Sequence, residues 1–293
     1  MIETNRLSTT LVPSPVEYRV LVPRDYASTS QAYALLLCLH GGIGGHDLFD
    51  NLVPVLQDMW RSRTLPELIA VAPDADHSFY LDYRDGSQKW ETFLVGELLP
   101  HIRERYPVSR QRDQTLVSGV SMGGMGALRL GLKYLDIFGG VVAWEPSIEP
   151  AFAWNEVRLE DRFWRSTECM EARFGCPLDE AYWAANNPAT IAVTHAGAIR
   201  EAGIRIYLEV GADDVYGLHR GAEFMHRALY DRAIKHEYRY IYGADHIGPT
   251  ILPRFRDGLG FVARILEPGI PDQRVQRLRE LVAMQKRRTG VRG

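Results

Sequence analysis

Short, continuous runs of apolar residues recur along the chain, and segments with helical spacing lie between them. A strand with one face in water alternates apolar and polar residues, whereas the runs from Leu35 onward are apolar almost throughout. Such strands fit the buried interior of a mostly parallel sheet with helices on both faces. The sequence therefore predicts an α/β fold. The runs predicted to be strands are 18–22, 33–40, 68–73, 115–120, 139–144, 204–210 and 237–242.

Amphipathic helices are predicted between and after these strands. Within residues 88–106, apolar residues recur at steps of three and four, which marks a helix with one apolar face despite Pro100. These apolar residues are Trp90, Phe93, Leu94, Leu98 and Ile102. Two later helices are predicted over 217–234 and 250–266, each after an apolar run.

The composition limits the class of protein. Hydrophobic residues make up 46% and charged residues 24% of the 293 residues, which is typical of a folded globular chain. We expect one domain over residues 1–293, because α/β chains of this size often form a single large core. A net charge of −3, without basic residues interleaved with aromatic ones, argues against nucleic-acid binding.

The N-terminal residues 1–20 have no basic segment followed by an apolar run, and no stretch of the chain is apolar for long enough to span a bilayer. We therefore expect a cytoplasmic protein with no membrane partner. The cysteines, Cys38, Cys169 and Cys176, have no metal-type spacing, so we expect reduced thiols. A disulfide between Cys169 and Cys176 is the alternative for an exported protein.

The interval from Trp144 to about Arg200 is far longer than a usual crossover between two strands. We predict that residues 145–200 form an inserted helical cap over the carboxyl edge of the sheet, where ligands of such folds bind. Its aromatic rings either line a pocket or anchor the insertion to the body. Trp144 is predicted to contact the substrate because it ends a strand. The interval carries four of the six tryptophans, namely Trp144, Trp154, Trp164 and Trp183.

The C-terminal tail, residues 270–293, has a basic helical pattern. Val275, Leu278 and Val282 share one face of this predicted helix, and many arginines surround them. We expect a surface helix or a contact between the two copies of a homodimer, with a membrane role as the weaker option.

Ser121 lies at the corner between the predicted strand 115–120 and a following helix. Residues 119–123 read Gly-Val-Ser-Met-Gly and satisfy the pattern G-x-S-x-G. Small flanking residues let the backbone bend sharply, so that the hydroxyl projects from the turn as a nucleophile requires. The alternative is an ordinary helix N-cap serine after a glycine-rich turn.

A serine nucleophile needs a base within hydrogen-bond reach and a carboxylate that orients the base. Asp213 and Asp214 follow one predicted strand, and His246 follows the next. In a parallel sheet the residues after consecutive strands gather at the same carboxyl edge, where Ser121 also emerges. The order Ser, Asp, His is the one expected for α/β-hydrolases, and at this point either aspartate could be the acid.

Backbone N–H groups are the usual donors to the oxyanion that forms during acyl transfer. Residues 40–42, His-Gly-Gly, end a predicted strand, and glycine lets the main chain approach a ligand. We predict the N–H groups of Gly42 and Met122 as the two donors. Phosphate binding by this loop is disfavoured, because neither the Lys-Ser/Thr ending of a P-loop nor a full dinucleotide fingerprint is present.

Four motifs together resemble those of the Putative esterase family of α/β-hydrolases, which includes esterase D, feruloyl esterases and mycolyltransferases. They read LLLCLHGGIGG, GVSMGGMGAL, VGADD and GADH. The segment 78–102 also looks like the esterase D and mycolyltransferase pattern, and the resemblance runs from about Val16 to Leu266. It implies an α/β-hydrolase fold and a serine-dependent reaction on esters.

The resemblance also bears on single residues. Family members commonly hold the acid in a G-x-x-D turn, which from Gly211 implies Asp214 rather than Asp213. The mycolyltransferases use glutamate as the acid, which counts against that activity. Esterase D carries a cysteine shortly after the glycine of its oxyanion loop, and the loop of this chain lacks one, which disfavours glutathione thioester hydrolysis. His40 and, by analogy, Tyr80 join Trp144 as predicted substrate contacts, and packing or surface placement is the alternative for Tyr80.

The sequence thus predicts a serine carboxylesterase with Ser121 as nucleophile, His246 as base and Asp214 as the orienting acid. It would act on a small-molecule ester through an acyl-enzyme, without a metal or an organic cofactor. Two alternatives stay open: an acyltransferase that passes the acyl group to an alcohol or amine, and a non-catalytic binding protein that kept the fold.

Overall fold

The computed structural model describes residues 1–28, 32–42, 45, 47–270 and 272–290. Within these residues, eight strands form one sheet in the order β1-β2-β4-β3-β5-β6-β7-β8. β2 is antiparallel to β1 and β4, and every other neighbouring pair is parallel, which confirms the predicted mostly parallel α/β sheet. The strands are β1 (Ile2–Leu7), β2 (Val16–Leu21), β3 (Ala34–Leu39), β4 (Leu68–Pro73), β5 (Thr115–Val120), β6 (Gly140–Trp144), β7 (Arg205–Gly211) and β8 (Glu237–Ile241).

The α-helices of the described residues are α1 (Asp47–Arg61), α2 (Trp90–Phe93), α3 (Leu99–Arg105), α4 (Met122–Lys133), α5 (Thr167–Phe174), α6 (Glu180–Asn186), α7 (Pro188–Thr194), α8 (Ala196–Ala202), α9 (His219–Asp231), α10 (Ile251–Leu266) and α11 (Gln273–Arg288). A π-helical turn, Leu94–Leu98, joins α2 to α3, so the helix predicted through Pro100 is present. Pro100 lies in the first turn of α3, directly after the π-helical segment. A proline is tolerated there because the N–H groups of a first turn need no acceptor within the helix.

Alternate residues of the central strands contribute to two apolar layers. Leu35 and Leu37 of β3 belong to the layer that contains residues of α2, α3 and α4, whereas Leu36 and Cys38 belong to the layer with α1 and α10. All residues of β3 are buried. The strand is apolar at every position because both of its faces are covered.

The N-terminal edge of the sheet differs from the expectation, since no strand was predicted before residue 18. β1 forms an edge strand whose residues alternate between exposed and half-buried positions. Its sequence, Ile-Glu-Thr-Asn-Arg-Leu, is too polar to match a pattern of buried strands. β1 instead forms through backbone pairing with β2 along its whole length.

The residues between β6 and β7 include helices α5 to α8. α7 packs against α4 and α9. Trp183 of α6 is buried, and its ring contacts that of Trp154 with centroids 5.6 Å apart. These contacts fit tryptophans that anchor the segment to the body, and a cap function of residues 145–200 stays a prediction.

α11 presents its apolar side chains to solvent, with Val275 45%, Leu278 60% and Val282 47% exposed. A homodimer contact through this helix stays a prediction. None of the described helices combines the length and the apolar character that crossing a bilayer requires. The cytoplasmic location also stays a prediction.

Candidate active site

Ser121 lies between the last residue of β5 and the first residue of α4, with φ 57° and ψ −117°. This backbone conformation is rare for a residue with a side chain and costs about 1–3 kcal/mol. Ser121 occupies the N-cap position of α4, but its side chain makes no capping hydrogen bond. The geometry therefore favours a strained strand-to-helix turn over an ordinary capping serine.

Gly119 and Gly123 allow this turn to form. A Cβ atom on Gly123 would overlap the carbonyl oxygen of Leu39, and one on Gly119 would overlap the backbone of Gly123. Neither overlap could be relieved by a side-chain rotation, because the opposing atoms are backbone. The close approach of α4 to β3 and β5 thus requires glycine at both positions.

Asp214 and His246 are joined by a hydrogen bond, with His246 Nδ1 2.8 Å from Asp214 Oδ2. Asp214 Oδ1 accepts hydrogen bonds from the backbone N–H groups of Tyr216 at 2.8 Å and Leu218 at 3.1 Å. Asp214 is buried, whereas Asp213 is exposed. Of the two aspartates, the structure brings Asp214 to the histidine.

The surroundings of Asp214 favour its ionised form. Burial would raise the pKa of Asp214, but hydrogen bonds to His246, Glu145 and a backbone N–H, together with attraction to His246, outweigh burial and hold this pKa below its ordinary value. An ionised Asp214 keeps the Nδ1–H of the imidazole directed toward itself. Nε2 is then the nitrogen that can accept a proton.

The loops after β5, β6, β7 and β8 lie at the same edge of the sheet, because these strands are parallel. Backbone hydrogen bonds connect them in pairs. The N–H of Ser121 donates to the carbonyl of Trp144 at 2.9 Å, and the N–H of Asp213 donates to the carbonyl of Ala244 at 2.9 Å. The three residues predicted to form the triad are thus carried by connected loops on one edge.

The glycine loop after β3 passes beside the serine. A Cβ atom on Gly41 would lie 3.5 Å from the Cβ of Ser121. Met122 is the first residue of α4, so its N–H has no acceptor within the helix. The predicted oxyanion donors, Gly42 and Met122, therefore belong to two backbone segments that meet near Ser121. Residues 43, 44 and 46 of the loop lie outside the described residues.

His40 and Tyr80 hold the glycine loop in place. Nε2 of His40 accepts a hydrogen bond from the N–H of Ala75 at 2.9 Å, and the hydroxyl of Tyr80 donates to the carbonyl of His40 at 2.8 Å. Both side chains are buried, with His40 3% and Tyr80 0% exposed. The sequence predicted substrate contacts at these positions, but the structure places both residues behind the loop as supports.

Trp144 is also placed differently from the expectation. Its side chain is fully buried, its ring packs against Phe255 with centroids 4.9 Å apart, and Nε1 donates to the carbonyl of Arg254 at 3.1 Å. The alternation of side chains along β6 turns this ring toward α10. Trp144 is therefore a core residue and not the wall of a substrate pocket.

Glu145 is an acidic residue of the site that belongs to none of the sequence motifs. It follows Trp144 directly, has φ 45° and is fully buried. Oε1 accepts a hydrogen bond from the N–H of Gly211 at 2.8 Å and contacts the guanidinium of Arg254. Its place at the carboxyl end of a neighbouring parallel strand was the available sequence signal.

Arg254 of α10 links Glu145 to Glu209 of β7 inside the protein. Its Nε donates to Glu209 at 2.5 Å, and its Nη1 donates to the carbonyl of Asp245 at 2.9 Å. Burial would lower the pKa of Arg254, but the two carboxyl groups raise it above its ordinary value. The guanidinium therefore stays charged beneath the Asp214–His246 pair.

One donor atom each of Glu145, Asp214 and His246 lies within 4.8 Å of the others, as metal ligands would. These groups already bind one another, and Arg254 places a positive charge on Glu145. The donor set therefore fits a hydrogen-bonded relay better than a cation site.

A mostly parallel sheet, a serine on a strained strand-to-helix turn and an Asp–His pair after later strands place the chain in the α/β-hydrolase class. Residues 8–249 match the sequence model of the family described as Putative esterase. The chain belongs to this esterase family, as its motifs predicted.

Individual relatives agree with this assignment. Esterase Rv1288 of Mycobacterium tuberculosis is 34% identical over 125 residues, which cover 41% of this chain and 26% of that protein. The chain thus spans about a quarter of the length of curated relatives that it matches.

Solved structures agree on the fold. A ferulic acid esterase, 22% identical in sequence, superposes with a TM-score of 0.73, and the match covers 91% of this chain and 98% of that esterase. An S-formylglutathione hydrolase from Agrobacterium tumefaciens, 20% identical, has a TM-score of 0.72 over 91% and 96%. These likenesses confirm the predicted α/β-hydrolase fold.

Proposed function

We propose that the chain is a serine carboxylesterase that hydrolyses small-molecule carboxylic esters through an acyl-enzyme intermediate. The observation that carries the proposal is the 2.8 Å hydrogen bond between Asp214 and His246, at the sheet edge that also bears the strained turn of Ser121. Membership of the esterase family supports the class of reaction.

In the first half of the reaction, Nε2 of His246 removes the hydroxyl proton of Ser121 while Oγ attacks the ester carbonyl. Asp214 holds Nδ1–H and stabilises the imidazolium that forms. The N–H groups of Gly42 and Met122 donate to the oxyanion of the tetrahedral intermediate. His246 then gives its proton to the leaving alkoxide, and the alcohol departs from acylated Ser121.

In the second half, His246 removes a proton from water as the water oxygen attacks the acyl carbonyl. The tetrahedral intermediate collapses, and the proton on His246 returns to Oγ of Ser121. The products are a carboxylic acid and the regenerated serine. None of these steps draws on a metal or an organic cofactor.

The rim of the site offers other substrate contacts than those predicted from the sequence. The ring of His77 would lie 3.4 Å from a Cβ atom on Gly42, next to a proposed oxyanion donor. His77 is exposed, and Arg173 fixes its backbone by donating to its carbonyl at 2.9 Å. We propose that His77 contacts the solvent-facing side of the bound ester.

The proposal is tested with p-nitrophenyl esters of acetate and of long-chain acids, a feruloyl ester and a thioester, together with a fluorophosphonate that labels activated serines. We expect hydrolysis of at least one substrate and labelling of Ser121. Ser121→Ala should lose both, and Ser62→Ala, at an exposed serine, should keep both. An unlabelled wild type, or turnover retained by Ser121→Ala, contradicts the proposal. Ester formation with an added alcohol would instead identify an acyltransferase.

A further inference from the structure

One carboxyl oxygen of Glu145, one carboxyl oxygen of Asp214 and one ring nitrogen of His246 lie within 4.8 Å of one another. Glu145 is 0% and Asp214 5% exposed. Two ionised carboxylates offer only acceptors and repel each other, so burying both at this separation favours a proton on one of them. A single proton between the two groups removes this repulsion, as in other close carboxyl pairs.

The donors around the two groups decide which of them carries the proton. Asp214 accepts hydrogen bonds from two backbone N–H groups and from His246, which favours its ionised form. Oε1 of Glu145 accepts from a backbone N–H and from Arg254. Within the described part of the chain, nothing donates to the buried Oε2 of Glu145. A buried oxygen without a donor is costly in a carboxylate and suits the O–H of a neutral acid.

The balance of buried charge agrees with this placement of the proton. The guanidinium of Arg254 pairs with two buried carboxyl groups, those of Glu145 and Glu209, while the third buried carboxyl, that of Asp214, pairs with His246. Burial, together with the neighbouring Asp214, raises the pKa of Glu145 to about 9 against the attraction of Arg254. Burial also raises the pKa of Glu209, whereas the pKa of Asp214 is lowered.

The other charged and titratable groups around the cluster have partners of their own. The carboxylate of Asp245 accepts from the N–H groups of Val215 at 2.8 Å and His246 at 2.6 Å. Asp257 pairs with Arg239 at 2.7 Å. The hydroxyl of Tyr207 donates to Glu209 at 2.5 Å. These contacts leave Asp214 as the acceptor for a proton on Oε2 of Glu145.

We infer that Glu145 is a positioning residue, which as a neutral acid donates a hydrogen bond from Oε2 to the Asp214 carboxylate and fixes that carboxylate against Nδ1 of His246. The inference rests on the proposed triad. Glu145 acts through Asp214 and does not touch the ester.

Two substitutions test this role in kinetics. Glu145→Gln keeps a neutral donor, so kcat/KM should stay within about threefold of the wild type. Glu145→Leu removes the donor, so kcat should fall about tenfold or more while KM changes little, because a misplaced catalytic group slows the chemical step. The acid limb of the kcat/KM profile should keep its position in Glu145→Gln. A move of that limb to lower pH by about one pH unit would reveal the loss of a negative charge and overturn the inference.

Infrared spectroscopy tests the proton without relying on activity. The C=O stretching band of a protonated carboxyl should be present near neutral pH in the wild type and in Ser121→Ala, and absent from Glu145→Gln. If Ser121→Ala retains turnover while the band disappears with Glu145→Gln, the proposed function fails and the shared proton stands. A band that is missing from the wild type, or that persists in Glu145→Gln, overturns the inference. This result does not depend on the activity of Ser121→Ala or on whether Glu145→Leu folds.

Discussion

Asp214 and His246 meet through Oδ2 and Nδ1 at 2.8 Å, although the loops that carry them follow different strands. The other oxygen of Asp214 is held by the N–H groups of Tyr216 and Leu218, so the carboxylate has little freedom to turn. The ring of Tyr216 packs edge-on against the imidazole with centroids 4.9 Å apart. The orientation of the imidazole is thus set by the loop after β7, which supplies both Asp214 and Tyr216.

The first prediction concerns the identity of the acid. Asp214→Asn should lower kcat about 10⁴-fold, because an amide facing Nδ1 stabilises the wrong imidazole tautomer. Asp213→Asn is the matched control, since the Asp213 side chain is exposed, and its kcat should stay within about twofold of the wild type. The measurement is the rate of p-nitrophenyl ester hydrolysis, with circular dichroism as the check on folding. A larger loss at position 213 would assign the acid to the other aspartate.

The second prediction concerns the strain at Ser121. Ser121→Ala should lower kcat about 10³-fold or more, because the nucleophile is lost. Ser121→Gly loses the nucleophile as well, but glycine adopts φ 57° without strain, so its free energy of unfolding should exceed that of the alanine variant by about 1 kcal/mol. Urea unfolding of the two variants measures this difference. A glycine variant less stable than the alanine variant would argue against a strained turn.

The sequence predicts the central sheet well because burial on both faces leaves a local signature. β3 is apolar at each of its positions, and such a run needs no knowledge of distant residues. Ser121 and the Asp214 turn are also recognisable locally, since G-x-S-x-G and G-x-x-D are defined by neighbours along the chain. β1 escapes prediction because an edge strand carries no comparable apolar run.

The residues that the sequence places wrongly, or overlooks, depend on distant partners. His40 and Trp144 lie at strand ends and Tyr80 lies in the loop after β4, but these positions do not say whether the side chains face substrate or core. Glu145 gains its role from Arg254, which lies 109 residues further along the chain. Local patterns do not reveal such a contact, whereas packing of α10 on the sheet creates it.

The third prediction concerns the glycines of the nucleophile turn. Gly123→Ala should lower the free energy of unfolding by about 3 kcal/mol or more, because the added methyl meets the backbone carbonyl of Leu39. Gly197→Ala is the control, since it lies in α8 with no atom within 4 Å of its added Cβ, and it should raise the free energy of unfolding by up to about 1 kcal/mol. Chemical denaturation measures both. Equal effects of the two substitutions would contradict the close packing of α4 on β3.

The fourth prediction is a pH dependence of stability that belongs to Glu145. Burial raises the pKa of Glu145 to about 9 in the folded protein, from an ordinary value of 4.5. Between these values the folded state holds a proton that the unfolded state has released. The contribution of Glu145 to the free energy of unfolding is therefore largest below its ordinary pKa. It falls by about 1 kcal/mol per pH unit as pH rises and is lost near the pKa of the folded state.

Glu145→Gln cannot titrate and should lack this slope. The difference in free energy of unfolding between wild type and Glu145→Gln, measured from about pH 5 to about pH 8, should therefore fall steadily. Asp214 does not interfere, because its pKa is lowered from 3.8, so its contribution is present above that value and is lost only in more acidic solution. Parallel stability curves for the two proteins over this range would mean that Glu145 is ionised in the folded state and would contradict the prediction. A steady fall would place the shared proton on Glu145 by a measurement that requires no turnover.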